Sequence, residues 1–239
     1  MNLARRTILG LAGVLVAAAP AFAQDGSRYT RSYGSFGEFR LWLGGFRPDA
    51  SSTYWNDKFR DFTGSANDFQ NVIGGADFLY HFDQHNALMI NGHFYSGNAT
   101  QSYRNFLDQN NNRIRHDTKL DISAGELAYV LFPAGERAPV LPYIGAGIGI
   151  YGWRLRESGD FINFNDQPPS VFSSTLADSG TAFGYFFLAG IEVPLSRHFA
   201  IFGEGRYTKA SATLSGDFAG FGKLDLSGGE VAAGFAWHL

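Results

Sequence analysis

Charged residues recur two apart within otherwise apolar segments: Glu38 with Arg40, and Glu204 with Arg206. In an extended chain, residues i and i+2 point to the same side, so each pair shares a face and can close an ion pair there. Asp77, Glu126, Glu192 and Glu230 stand at matching positions of other alternating segments, with His81, His93 and His238 on the same faces. Charges buried on such a face need partners, and Arg40 and Arg206 are the available counter-ions. Carboxylates outnumber guanidiniums in this set, so any leak along the face would favour cations. The chemistry these residue types support is ion pairing or a polar path, not bond making.

Other reactive patterns fail on inspection. Asp108-Gln-Asn110-Asn-Asn112 begins like a calcium loop, but Arg113 replaces the glycine of position six and Lys119 the glutamate of position twelve. Gly147-Ile-Gly149-Ile-Tyr-Gly152 fits G-x-G-x-x-G, yet no helix follows it, so a nucleotide loop is not indicated. No G-x-S-x-G occurs, and His116 and His198 have no marked serine partner, so no nucleophilic triad is legible. The expectation is a non-enzyme with no catalytic residue, no cofactor and no metal site.

The elements that must position the charges are strands. Eight segments alternate with period two: about Phe36–Phe46, Phe69–Phe82, Asn86–Ser96, Leu120–Phe132, Pro142–Leu155, Phe183–Val193, Phe199–Thr208 and Leu224–Leu239. Most reach the roughly 9 to 11 residues that a tilted strand needs to cross a bilayer. In the fifth, Gly145, Gly147 and Gly149 fall on the charged-face side, opposite Ile144, Ala146, Ile148 and Ile150. Three missing side chains there either leave a gap or admit Trp42, Phe186, Leu188 and Phe202 from other strands.

Long polar links (Arg47–Asp68, Gly97–Lys119, Arg156–Ala182 and Lys209–Lys223) alternate with short ones (Asp83–His85, Ala134–Leu141 and Pro194–His198). Long loops on one rim and short turns on the other are the arrangement of outer-membrane barrels. Arg5, Arg6, the apolar run Ile8–Ala19 and Ala21-Phe22-Ala23 form a secretory signal pattern with cleavage expected before Gln24. Removing residues 1–23 takes two basic and no acidic residues from the chain's 19 and 22, leaving a net charge of −5. That balance argues against a nucleic-acid partner. With no cysteine in the chain, barrel closure must do what disulfides do in many small secreted domains. The reading is all-β: a closed antiparallel eight-stranded up-and-down transmembrane β-barrel at residues 36–239. It follows a cleaved signal peptide (1–23) and a short periplasmic segment (24–35), with both termini periplasmic.

Gly234, Trp237 and Leu239 have the spacing G-x-x-aromatic-x-aliphatic. This resembles the signal by which insertion machinery recognises outer-membrane barrels, although Ala232 stands where a polar residue is usual and Leu239 where Phe is usual. Pro142-Tyr-Ile-Gly-Ala-Gly-Ile-Gly149 and Phe202-Gly-Glu-Gly-Arg-Tyr207 look like strands of the small OmpA/OmpW-type outer-membrane barrels. The resemblance implies one of two roles. The first is a barrel with a plugged or narrow lumen, acting in envelope integrity or surface interaction. The second is an OmpW-like passive channel for small, apolar solutes. It further implies a monomer in contact with outer-membrane lipid, with lipopolysaccharide, and with insertion machinery during assembly. Lys58, Arg60, Arg104, Arg113, Arg115 and Arg154 are candidates to pair lipopolysaccharide phosphates. The loop aromatics, among them Tyr54, Trp55, Phe59, Phe106, Phe164, Phe172 and Phe218, either mark a contact surface or pack on one another.

Overall fold

The computed structural model describes residues 37–135, 138–167 and 169–239. The expected signal peptide, the segment 24–35 and Phe36 lie outside the described residues. Within them the strands are β1 (Gly37–Pro48), β2 (Asn71–His81), β3 (Asn86–Leu107), β4 (Arg113–Leu131), β5 (Leu141–Asn163), β6 (Ser170–Pro194), β7 (Phe199–Thr213), β8 (Lys223–Asp225) and β9 (Gly228–His238). Helix α1 (Thr53–Asp61) follows β1, and 3-10 turns occupy Ala66–Phe69 and Gly216–Phe218.

The pairings run antiparallel from β1 through β7, then β7 to β9 and β9 back to β1. Eight strands thus form a ring in which each has two neighbours, and β8 only extends the loop end of β7. The alternation explains the two faces. Glu38, Arg40 and Trp42 are buried inside, while Phe39, Leu41 and Leu43 between them are exposed outside. The same holds for Ile144, Ile148 and Ile150 on β5, Phe183, Tyr185 and Phe187 on β6, and Val231, Phe235 and Trp237 on β9. These outward residues make an apolar belt around a polar interior, the inverse of a water-soluble cup. No helix among the described residues is long and apolar enough to cross a membrane, which says nothing of strands.

Two expectations about the links need correction. Most of 97–119 and 156–182 is strand, with β3 and β4 joined by residues 108–112 and β5 and β6 by 164–169. Beyond the belt the outward positions of β4 and β5 become Arg115, Asp117, Lys119, Arg154 and Arg156, all exposed. Apolar alternation therefore lapses while the backbone ladder continues. The last strand is also interrupted, since β8 ends at Asp225 and β9 starts at Gly228.

Helix α1 closes the loop end of the ring. Its Tyr54, Trp55 and Lys58 lie on one face and are buried. Trp55 stacks on Phe59 at 5.5 Å, meets Phe69 edge-on at 4.9 Å, and donates its ring N–H to the Asp225 carbonyl at 3.1 Å.

Candidate functional site

The candidate site is the interior of the ring, filled in three levels between the short turns and α1. At the turn end, Arg40 donates to Glu38 and, at 2.7 Å, to Glu192. Its guanidinium lies between the rings of Tyr143 (4.8 Å) and Phe202 (4.7 Å). His81 and His238 approach the same two carboxylates, at 3.3 Å from Glu38 and 3.1 Å from Glu192 respectively.

At mid-depth Arg206 repeats the plan. It donates to Glu126 at 2.6 Å and to Glu204 at 3.0 Å, and lies between Trp42 (5.5 Å) and Phe186 (5.0 Å). Glu230 is buried directly across the β7–β9 ladder from Arg206. The acidic excess is met largely by neutral donors. Tyr143 donates to Glu204 at 3.1 Å and Tyr151 to Glu126 at 2.6 Å, while Trp42 (3.0 Å) and Asn91 both donate to Asp77. A guanidinium that bridges two carboxylates and faces two rings has its charge and its flat faces engaged, which offsets much of the cost of desolvation, although Arg40 Nη1 has no hydrogen-bond partner among the described residues.

The third level lies outside the apolar belt, beneath α1. Lys58 Nζ is 2.6 Å from Glu157 and 2.7 Å from His116 Nε2, and Tyr54 donates to Glu157. Phe62 covers both Lys58 and the edge of His116. Burial pulls Lys58 down to about 8, with Glu157 opposing the fall. Burial, and then the charge of Lys58, hold His116 down to about 4. A neutral His116 accepts from the Lys58 ammonium.

The structure brings all eight charged candidates inside: Glu38, Arg40, Asp77, Glu126, Glu192, Glu204, Arg206 and Glu230 are each buried. Gly145, Gly147 and Gly149 face inward too, but the space beside them is taken. A Cβ would stand 3.0 Å from Leu188 at Gly145, 2.7 Å from Phe186 at Gly147 and 2.8 Å from Glu126 at Gly149. The glycines admit side chains of neighbouring strands. Gly147→Leu is accordingly expected to destabilise the fold by about 1–3 kcal/mol through overpacking, read as an earlier urea midpoint of the protein folded in micelles. An unchanged midpoint would mean that Phe186 does not occupy that space.

At the turn end Trp237 is exposed and stacks on Phe199 across the β7–β9 ladder at 5.4 Å. A Cβ on Gly234 would collide with the Leu41 carbonyl and the Phe202 ring. Leu239 is exposed, and its N–H bonds the Gly37 carbonyl at 2.9 Å. Lys58 is buried against Glu157, which corrects its assignment as a partner for lipopolysaccharide. Arg60, Arg104, Arg113, Arg115 and Arg154 are exposed. Of the loop aromatics, Tyr54, Trp55 and Phe218 are buried, and Phe106, Phe164 and Phe172 are exposed. Sequence reasoning did not identify Tyr143, Tyr151 and Asn91 as donors to these carboxylates, and it missed the Tyr54–Lys58–His116–Glu157 cluster. The two tyrosines alternate in phase with the inward glycines, so their direction was legible and their carboxylate partners were not.

The model of the outer membrane protein beta-barrel domain family matches residues 9–238. The crystal structure of outer membrane protein OprG from Pseudomonas aeruginosa is similar over 89% of this chain and 98% of its own, at 14% identity and a TM-score of 0.52. Neisserial surface protein A is matched over 86% of this chain and 98% of its own, at 14% identity and a TM-score of 0.47. The attachment invasion locus protein Ail of Yersinia pestis is matched over 85% and 99%, at 12% identity and a TM-score of 0.40. No curated protein matches the chain by sequence. At such identities the likeness to OprG shows the fold and nothing of the activity.

Proposed function

From its membership of the outer membrane protein beta-barrel domain family, we propose that this chain is a non-enzymatic, plugged barrel of the outer membrane that carries a surface platform. The observation that supports a plug is the engagement of both lumen guanidiniums, each between two carboxylates and two aromatic rings. An eight-stranded barrel is only just wide enough for side chains to fill it. Helix α1 adds a lid over that filling.

In this reading the chain is exported through its signal peptide, and both termini and the short turns are periplasmic. Gly234, Trp237 and Leu239 are read by the insertion machinery, and the finished protein is a monomer in lipid. The platform is the part of β3–β6 above the belt, with Phe106, Phe164 and Phe172 exposed for surface contacts or envelope cohesion. Arg115, Arg154 and Arg156 stand on its outer wall, where lipopolysaccharide phosphates would meet guanidinium forks.

Planar-bilayer recording tests the plug. The folded wild type is expected to stay silent under an applied potential. Steady openings of the wild type would overturn the plug in favour of a passive channel for small solutes.

A further inference from the structure

At the turn end of the lumen Glu38, Glu192 and His238 bring metal-ligating atoms within 4.8 Å of one another, and His81 joins them on the Glu38 side. Glu38 Oε2 lies 3.3 Å from His81 Nε2 and 3.7 Å from His238 Nε2, and His238 Nε2 lies 3.1 Å from Glu192 Oε1. All four side chains are buried, and they come from β1, β2, β6 and β9. A tetrahedral ion with bonds of about 2.0–2.1 Å has ligand–ligand edges of about 3.3 Å. Three of these edges are therefore already near length.

We propose that Glu38, Glu192 and His238 form a binding site for one divalent transition-metal ion, with His81 turning in from the Glu38 side as the fourth ligand and Zn2+ the best-fitting case. Two imidazole nitrogens with two carboxylate oxygens suit such borderline ions, whereas magnesium and calcium call for all-oxygen sets. Arg40 is the orienting group. It takes Glu38 Oε1 through Nε and Glu192 Oε2 through Nη2, so the other oxygen of each carboxylate stays turned toward the imidazoles. This is the outer-shell support that metal carboxylates commonly receive. Arg40 also balances one of the two negative charges and leaves the other for the ion. His81 ends β2 and His238 ends β9, so an ion reaches the cluster from the short-turn side.

Protein folded in detergent micelles is incubated with Zn2+ or Co2+ and then desalted. The wild type is expected to retain one zinc ion per chain, and its cobalt form to show the intense visible absorption of a tetrahedral centre. His81→Gln and Glu192→Gln are each expected to weaken retention by at least roughly tenfold, the scale on which even outer-shell partners act. Their folding is checked by heat modifiability on gels. A wild type that loses its metal on desalting, or gives the weak spectrum of an octahedral aquo ion, overturns the site. Retention by folded His81→Gln equal to wild type overturns it as well. If neither variant folds, the cobalt spectrum of the wild type decides alone.

Discussion

Arg206→Met is expected to cost about 3–5 kcal/mol of stability, the loss typical of breaking a buried ion pair by removing one partner. The residue carries more than its size suggests. It is the direct counter-ion of Glu126 and Glu204 and faces Glu230 across the ladder. Methionine fills similar volume between Trp42 and Phe186 but leaves the buried Glu126 and Glu204 without the guanidinium that pairs them. The variant should unfold at clearly lower urea than wild type and lose its heat-modifiable band. Adding Glu126→Gln and Glu204→Gln should restore much of the loss, because neutral amides remove the unpaired charges that methionine strands. A single variant as stable as wild type would show that these carboxylates do not depend on Arg206.

The second large effect concerns α1 and pH. His116 is neutral in the closed state down to about 4, whereas a released, hydrated histidine titrates near 6.5. Above 6.5 both states hold the imidazole neutral, and this group adds no pH dependence. Between 6.5 and 4 the released state takes up a proton that the closed state refuses, so the closed state loses stability as pH falls. Protonation also turns the acceptor of the Lys58 hydrogen bond into a second cation. Lys58 acts in the same direction at higher pH, since its closed form is held down to about 8. Allowing for solvent screening at the loop face, acidification from neutral to about pH 4.5 should weaken the α1 seat by about 1–2 kcal/mol. Amide exchange across residues 53–61 at the two pH values measures this, and His116→Gln should flatten the response. Equal protection at both values would remove the histidine from the seat.

Much of the ring could be read from sequence because lipid is a uniform solvent. It demands an apolar residue at every second position of the belt, and Phe39, Leu41 and Leu43 against Glu38, Arg40 and Trp42 display that demand directly. Where the wall leaves the belt the demand ends. Arg115, Asp117 and Lys119 then look like loop although they pair as strand. Helix α1 was illegible for another reason: its nine residues are too few for a helical period to stand out, and Lys58 reads as a surface residue until Glu157 is seen beneath it. The inward charges were visible one strand at a time. Their pairing was not, since Arg40 meets Glu192 only when two strands 152 residues apart are brought around the ring at a particular stagger. Phenol donors could be seen to face inward, but which carboxylate each satisfies depends on the same stagger.

The seam between β1 and β9, sealed by the Leu239 N–H on the Gly37 carbonyl, has a kinetic consequence. A ring without an edge offers no strand that can peel away by breaking one ladder. Escape begins only by opening two ladders at once, with the charged filling exposed to lipid or drawn into water in the same event. That raises the barrier to unfolding more than it raises the equilibrium stability, so the persistence of this protein is a matter of rate. Once closed, it should outlast conditions in which it could no longer fold.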